Sequence, residues 1–307
     1  MAPAPPTCNT GVYPPSPHLQ SAALGSRFDW YRASVPAHPE LVLAGILEAV
    51  EHGKGYVPKI VPGRPRWSFL RSSIVADADG HRIAEVLHGG RNPLPCVEAS
   101  GDYAPFVADA LRARGPHRVS RLDVAIDRAG PDLYVDLRAL CERLSTRYGL
   151  QLRVIEAPTD PDAGRTVYLG SRKSEVFLRV YEKGLQVARL QGLAKPIPDE
   201  FRHWVRAELE FKPHHRSAKK VVATMDPKEF WGISDWLADF ATEAFAMDCT
   251  TVSLRERRES DFDRAMRWMV HQYSAHLDKL AEQCGGDPAA AWEALMAYRQ
   301  NEARKAA

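Results

Sequence analysis

The chain has 307 residues, of which 45% are hydrophobic and 26% charged, and its formal net charge is +2. This composition is usual for a globular protein and excludes a disordered chain, while the charge is too small to indicate nucleic acid by itself. No run of about eighteen apolar residues is present, which argues against a membrane span. The five cysteines are far apart and odd in number, so we expect a reducing cytoplasm and neither a disulfide framework nor a C-x-x-C metal site.

The first third of the chain predicts a strand, a helix, a hairpin and a second helix. Residues 1–25 are rich in proline and lack a basic start followed by an apolar stretch, so we expect a loose tail and no secretory signal. A strand is predicted over 28–35, and a helix begins just after Pro39. The tripeptide ADG between two strand-like segments predicts a hairpin. A short helix should follow Asp102 and end at Gly115.

The middle of the chain is rich in strands, and the end is helical. RVSRLDVAID predicts a strand, and an amphipathic helix ending at Gly149 follows it. Four more strands are predicted from LQLRVIEA, RTVYLGS, VFLRVYEK and HWVRAELEFK. Beyond about Asp226, apolar residues recur at helical spacing. We predict an α+β fold: an antiparallel sheet with one open polar face and helices on the other, followed by a helical C-terminal unit.

Three of the predicted strands carry polar side chains at every second position. Side chains alternate between the two faces of a strand, so Arg179, Tyr181 and Lys183 should share one face. The same alternation groups two further sets, which are Arg121, Asp123 and Asp127 on one strand and Arg206, Glu208, Glu210 and Lys212 on another. Each set alone is typical of a sheet with one face in water. If the strands adjoin, four carboxylates, several cations and a tyrosine meet on one face.

Such a face has a definite chemistry. Clustered carboxylates raise each other's pKa unless a cation lies among them, and oxygen ligands suit Mg²⁺ or Mn²⁺. Neighbouring arginine and lysine side chains suit a phosphate. A tyrosine hydroxyl beside such a metal can attack phosphorus and become covalently attached. The residues therefore predict DNA strand transfer through a phosphotyrosine.

Three segments, RLDVAID, YLGSRKSEVFLRVYEKG and WVRAELEFK, resemble in this order the replication initiation factor family. That family includes rolling-circle replication initiators of plasmids and phages and some conjugative relaxases. The specific part is the Gly-Ser-Arg-x-Ser stretch leading into Arg-x-Tyr-x-Lys, and the similarity extends from about Phe28 to Lys220. The resemblance implies an enzyme that nicks one strand at an origin, stays linked to the 5′ phosphate and leaves a 3′-OH to prime synthesis.

The resemblance also implies roles for individual residues. The nucleophile maps to Tyr181, with Tyr168 as the alternative, and the metal carboxylates map to Asp123 and Glu208. Asp127 and Glu210 are added as metal ligands because the alternation of side chains along a strand places them on the same face as Asp123 and Glu208. Arg179 and Lys183 are expected at the reacting phosphate, and DNA contacts are expected from Arg172, Lys173, Ser174, Arg206 and Lys212. For Arg206, a salt bridge that orients Glu208 is an equal alternative.

The expected organisation is a flexible tail (1–25), a catalytic DNA-nicking domain (26–225) and a helical region for DNA recognition or dimerisation (226–307). In the last, base-reading candidates are Arg255, Arg257, Arg258, Arg264 and Arg267. Expected partners are origin DNA, single-stranded or supercoiled, a host helicase and polymerase, and a second copy in a homodimer. Three alternatives stay open: a conjugative relaxase of a mobile element, a non-enzymatic DNA-binding regulator with the same fold, and a metal nuclease that uses water in place of Tyr181.

Overall fold

The computed structural model describes residues 25–193, 196–215, 218–249 and 261–306. The chain divides into two compact units, Met1–Leu254 and Arg255–Ala307. The segment Pro227–Phe245, which lies beyond the expected domain boundary at 225, is part of the first unit. The proposed tail falls outside the described residues apart from its last residue, and so do Arg255, Arg257 and Arg258.

Ten strands of the first unit form one antiparallel sheet. Their bounds are β1 (Arg27–Ser34), β2 (Lys59–Pro62), β3 (Arg71–Ala76), β4 (Arg82–His88), β5 (Cys96–Ser100), β6 (Arg118–Ala129), β7 (Leu152–Ile155), β8 (Thr166–Gly170), β9 (Val176–Tyr181) and β10 (Trp204–Phe211). Their order across the sheet is β2-β3-β4-β5-β1-β6-β10-β9-β8-β7. The three strands with alternating polar side chains, β6, β10 and β9, are therefore adjacent at its centre.

The first unit also contains seven described helices, and the second unit contains two. They are α1 (Pro39–Lys54), α2 (Tyr103–Arg114), α3 (Leu133–Tyr148), α4 (Lys183–Leu190), α5 (Asp199–Arg202), α6 (Ala218–Val221), α7 (Asp235–Phe245), α8 (Asp261–Gln283) and α9 (Pro288–Ala306). A 3₁₀ turn spans Pro227–Gly232. The predicted α+β class, with an antiparallel sheet and C-terminal helices, is confirmed. None of the described helices is long and apolar enough to cross a membrane.

Helix α1 begins, helix α3 ends, and helix α2 both begins and ends at or next to the residues that the sequence predicts. Pro39 occupies the first turn of α1, where a missing backbone N–H is not needed. Gly149 closes α3 with a φ of 63°, and its N–H donates to the Ser145 carbonyl. Glycine adopts this left-handed conformation without the steric cost that a Cβ would add. These local signals fix the lengths of the helices that pack on the sheet.

The main core lies between one face of the sheet and helices α1, α2, α3 and α7. Alternate residues of the central strands supply the sheet side, among them Leu122, Val124 and Leu209, which are fully buried. From the helices come Val42, Ile46, Val107, Leu137 and Leu237. This packing leaves the residues of opposite parity, including the polar ones, on the other face.

The polar face is more enclosed than an open sheet face. Directly opposed residues of neighbouring strands point the same way, and the register pairs Arg206 with both Tyr181 and Asp127. A second apolar cluster, contributed by α4, α5 and their connection, surrounds Trp204 at one end of this face. The buried charged groups of this face form ion pairs with one another.

Candidate active site

Tyr181 lies at the end of β9, on the polar face. Its hydroxyl donates a hydrogen bond to Glu208 Oε2 over 3.1 Å, and the residue is only 4% exposed. Burial raises the pKa of Tyr181 well above its ordinary value of 10.0, and the neighbouring negative charge of Glu208 adds to the rise. The hydroxyl is therefore protonated at neutral pH, with its proton directed at a carboxylate.

Glu208 is held by Arg179 from the adjacent strand. Arg179 Nη2 lies 2.6 Å from each carboxylate oxygen, and the guanidinium carbon lies 4.3 Å from the centroid of the Tyr181 ring. Burial raises the pKa of Glu208, but the positive charges of Arg179, Arg206 and Lys183 outweigh it and hold this pKa below its ordinary value. An ionised Glu208 can accept the Tyr181 proton.

Lys183 reaches the same centre by a route that differs from the prediction. The expectation that Lys183 continues the strand is wrong, because β9 ends at Tyr181 and Lys183 is the first residue of α4. The side chain is fully buried, and its ammonium lies 5.9 Å from the Tyr181 ring centroid. Nζ also donates to Gln186 Oε1 over 3.3 Å. The start of the helix thus places a positive charge beside the tyrosine.

Asp127 and Arg206 form a buried ion-pair network with Asp29. Arg206 Nε and Nη2 donate to the two Asp127 oxygens over 2.7 and 2.9 Å, and Nη1 donates to Asp29 Oδ1 over 2.7 Å. Asp127 also accepts from Trp204 Nε1 and from Arg27 Nη2. Burial raises the pKa of Asp127, but Arg206 and Arg27 lower it well below its ordinary value. Arg206 is 0% exposed, so it lies inside this network and pairs with Asp29 and Asp127, not Glu208.

Asp123 lies in a separate acidic group. Arg121 donates to both of its oxygens over 2.9 and 2.6 Å and lies 3.0 Å from Glu210, which in turn pairs with Lys212. Burial raises the pKa of Asp123 to about 7, the charges of Glu208 and Glu210 contribute to the rise, and Arg121 opposes it. A divalent cation is the kind of partner that would keep such a carboxyl ionised.

The four predicted metal ligands do not converge as one tight set of donor atoms; their oxygens are engaged by arginine or lysine side chains. In the part of the chain that the structure describes, three donor residues with ligand atoms within 4.8 Å of one another are Asp77, Asp79 and His81. They form the turn between β3 and β4, where Asp77 Oδ1 accepts from the backbone N–H groups of Asp79 and His81. The Asp-Ala-Asp-Gly-His spacing that brings them together is visible in the sequence, where the ADG tripeptide predicts a hairpin but gives no separate metal-binding signal.

The Gly-Ser-Arg-x-Ser stretch forms the turn between β8 and β9. Gly170 has a φ of 90°, a conformation that glycine adopts at low cost, and the Ser174 N–H donates to the Ser171 carbonyl over 2.9 Å. Arg172, Lys173 and Ser174 are exposed. The turn thus presents two positive charges and a hydroxyl to solvent beside the Tyr181 strand.

Tyr168, the alternative nucleophile, packs against the neighbouring strand. Its ring stacks on Phe177 with centroids 5.4 Å apart, and the Arg172 guanidinium lies 5.6 Å from the Tyr168 centroid. Lys212 Nζ donates to the Arg172 carbonyl over 3.1 Å, which ties this turn to the end of β10. The hydrogen bond of the Tyr181 hydroxyl to Glu208 is what distinguishes Tyr181 from Tyr168.

Residues 117–226 match the model of the family described as replication initiation factor. The resemblance that the motifs predicted is thereby confirmed for this segment, which contains Tyr181 and all four predicted metal carboxylates. The fold is also similar to a solved structure described as a rolling circle replication initiator protein from Geobacillus stearothermophilus. The two share 16% identity and a TM-score of 0.48, over 75% of this chain and 100% of the other. No curated protein matches the chain.

Proposed function

We propose that this protein initiates rolling-circle DNA replication by nicking one strand at an origin with Tyr181 as the nucleophile. The observation that carries the proposal is the 3.1 Å hydrogen bond from the Tyr181 hydroxyl to Glu208. It lies inside the segment that matches replication initiation factors. The family match supports the DNA context, and the hydrogen bond supports Tyr181 as the nucleophile with Glu208 as its base.

In the proposed step, the Tyr181 oxygen forms a bond to phosphorus as the bond between phosphorus and the 3′ oxygen breaks. The Tyr181 proton passes to Glu208, and the leaving 3′ oxygen takes a proton from solvent. The products are a 5′-phosphotyrosine and a free 3′-OH. Because burial raises the pKa of Tyr181, little tyrosinate exists at neutral pH, and an adjacent base is needed for attack.

Arg179 and Lys183 would bind the scissile phosphate. Arg179 now covers the Tyr181 ring and occupies both oxygens of Glu208. An arriving phosphate offers the guanidinium a bidentate partner, which would release a Glu208 oxygen and uncover the hydroxyl. The exposed residues Arg172, Lys173 and Ser174 on the β8–β9 turn, together with Lys212, would hold the flanking backbone.

Asp123, Glu208 and Glu210 would hold Mg²⁺ or Mn²⁺ only after a shift of the arginine and lysine side chains that now engage their oxygens, because these oxygens do not form one tight set of donors. The fit rests on the donor chemistry: Glu210 is directly opposite Asp123 on the neighbouring strand, and carboxylate oxygens suit these ions. Burial, together with the charges of Glu208 and Glu210, also raises the pKa of Asp123 to about 7, which a bound cation would oppose. When bound, the ion would stabilise the negative charge that develops on the phosphate. For Asp127, metal binding would require the loss of the contacts from Arg206 and Trp204, and we assign it instead to the positioning of Arg206.

The proposal is tested by incubating the protein with single-stranded or supercoiled origin DNA and Mn²⁺ or Mg²⁺, followed by a search for a denaturation-resistant protein–DNA adduct. Tyr181→Phe should lose the adduct and nicking but keep DNA binding, since only a hydroxyl is removed. Tyr168→Phe is the matched control and should retain both activities. Cutting by Tyr181→Phe would indicate water as the nucleophile, and binding without cutting by the unaltered protein would indicate a non-enzymatic regulator.

A further inference from the structure

An exposed tryptophan lies in the loop between β2 and β3. Trp67 is 47% exposed and has a φ of 53°, and Ser68 follows with a φ of 66°. Large side chains rarely adopt this left-handed conformation, and residues held in it cluster at functional sites. The loop is fixed from the other side, because Asn92 Nδ2 donates to the Trp67 carbonyl over 3.2 Å.

Two arginines lie against the indole ring. The guanidinium carbons of Arg32 and Arg66 lie 4.1 and 4.4 Å from the Trp67 ring centroid. Both are anchored by buried carboxylates: Arg32 Nε donates to Glu98 over 2.6 Å, and Arg66 donates to Glu85 and Glu98 over 2.6 and 2.7 Å. Glu85 and Glu98 are each 2% exposed. The cations therefore have fixed positions, and the ring is preorganised with part of its surface in solvent.

This aromatic site lies on the same face of the sheet as Tyr181. Arg32 is directly opposite both Arg121 on β6 and Glu98 on β5, and Trp30 is directly opposite Asp123. The Arg121 guanidinium lies 4.9 Å from the Trp30 ring. Arginine and tryptophan side chains thus alternate from the acidic group to Trp67. Four strand spacings separate β9 from β5, which amounts to about 19 Å across the sheet.

We propose that Trp67 is a stacking platform for an unpaired base of the DNA strand that Tyr181 cuts, an inference that rests on the proposed function. Every base offers a flat π face to an aromatic ring, and an adjoining positive surface follows the backbone. The loop together with the first residue of β3, residues 63–71 (GRPRWSFLR), contains three arginines and no acidic residue. Bases inside a duplex are already stacked on one another, so this site would select single-stranded DNA.

The test measures the affinity of the full chain for a fluorescent single-stranded oligonucleotide in EDTA, where no cleavage contributes. Trp67→Asn is the main variant, because asparagine tolerates the left-handed backbone and removes the ring. We expect it to weaken binding by about 5- to 150-fold, whereas Trp67→Tyr should retain most of the affinity. The matched control is Leu70→Ala in the same loop, where a 72% exposed side chain is removed and binding should stay unchanged.

The affinity of the same variants for a blunt duplex of the same sequence is also measured. Each variant should bind the duplex as tightly as the unaltered protein does. The proposal is overturned if Trp67→Asn binds single strands within about two-fold of the unaltered protein, or if both DNA forms are weakened equally. A change of oligomeric state with unchanged DNA affinity would assign the indole to a protein contact and also overturn it. Because binding is measured without cutting, the two proposals can fail separately. If Trp67 does not stack on a base, the adduct test of Tyr181 is unaffected. If Tyr181 forms no adduct, the effect of Trp67 on single-strand affinity can still be measured.

Discussion

The Tyr181 hydroxyl and the Glu208 carboxylate meet across two neighbouring strands at 3.1 Å, on residues that are 4% and 7% exposed. Arg179 contacts both partners. The proposed nucleophile and its proposed base are therefore kept out of bulk water by the cation that is expected to bind the substrate. In the proposed mechanism, phosphate binding and activation of the hydroxyl would depend on the same arginine.

Replacement of Arg179 by methionine should slow nicking and shift its pH dependence. Arg179 exerts the largest of the effects that lower the pKa of Glu208, so its removal raises that pKa. Glu208 must be ionised to accept the proton, and the acid limb of the rate profile should move to higher pH. The rate at neutral pH should fall by about 10²-fold or more, as for loss of a transition-state hydrogen-bond donor. The measurement is the single-turnover nicking rate across pH.

Arg179→Lys is the matched variant for this prediction. It keeps the positive charge but loses the planar guanidinium that contacts both Glu208 oxygens. We expect a smaller shift of the acid limb together with a reduced rate. An acid limb that stays in place in Arg179→Met would refute the assignment of Glu208 as the base.

Asp123 should make stability depend on pH. Its pKa is raised by burial from 3.8 to about 7, so the folded chain holds this proton more tightly than the unfolded chain. The free energy of unfolding should therefore fall as pH rises from about 4 to 7, by up to ~4 kcal/mol. Asp123→Asn has no carboxyl that titrates at this position, so its free energy of unfolding should rise relative to that of the unaltered protein as the pH increases from 5 to 8. The measurement is urea unfolding in EDTA.

The matched control for Asp123 is Asp109→Asn, whose side chain is 75% exposed; its stability should follow that of the unaltered protein at every pH. Addition of Mg²⁺ or Mn²⁺ at pH 8 should stabilise the unaltered protein more than Asp123→Asn, because the ion favours the carboxylate. Parallel pH curves for the two proteins, or equal stabilisation by the metal, would remove Asp123 from the proposed ligands.

Arg206→Met should be strongly destabilising. The change leaves Asp29 and Asp127 buried without the cation that lies 2.7 Å from each, and breaking a buried pair in this way costs about 3–5 kcal/mol. The control is Arg143→Met, which breaks the ion pair between Arg143 and Glu243, whose side chains are 62% and 44% exposed. Loss of this surface pair should lower the free energy of unfolding by only about 0–1 kcal/mol. Chemical denaturation compares the two, and equal losses would contradict the structural role given to Arg206.

Gly184→Ala should disturb the cover beside the site. A Cβ at Gly184 would lie 1.8 Å from the Phe201 carbonyl oxygen, so α4 and α5 would have to separate. Overpacking of this kind costs about 1–3 kcal/mol, and movement of α4 would also displace Lys183. Gly130→Ala is the control, since its Cβ would make an ordinary 3.4 Å contact with Leu133. The midpoint temperature of thermal unfolding and the nicking rate should both fall for Gly184→Ala and stay unchanged for Gly130→Ala. Unchanged values for Gly184→Ala would show that the two helices tolerate separation.

Strand parity predicted much of the site, because side chains alternate along a strand regardless of the rest of the fold. The strand register confirms that Tyr181, Asp127 and Arg206 share a face. Two residues further along β10, on the same face, Glu208 is directly opposite Arg179 on β9. The helices with clear caps were equally predictable. The short strands β2 and β5, and helices α4 to α6, lack strong periodicity or capping signals and were missed.

Other features depend on long-range pairing that a sequence does not display. A register shift between Phe28 and Trp30 allows Asp29 to reach Arg206, 177 positions away. The alternation in FLRVYEK continues past Tyr181, so nothing local marks the end of the strand before Lys183. The sequence shows that charges share a face, but whether they pair with one another or with a ligand depends on distances set by the whole sheet.

The central claim is tested most directly by locating the DNA-linked amino acid. The adduct formed with origin DNA is digested with nuclease and trypsin, and the peptides are analysed by mass spectrometry. We predict that the nucleotide is carried by residues 180–183 (VYEK), which contain Tyr181. A nucleotide on residues 166–172 (TVYLGSR), which contain Tyr168, or on another peptide would contradict the account.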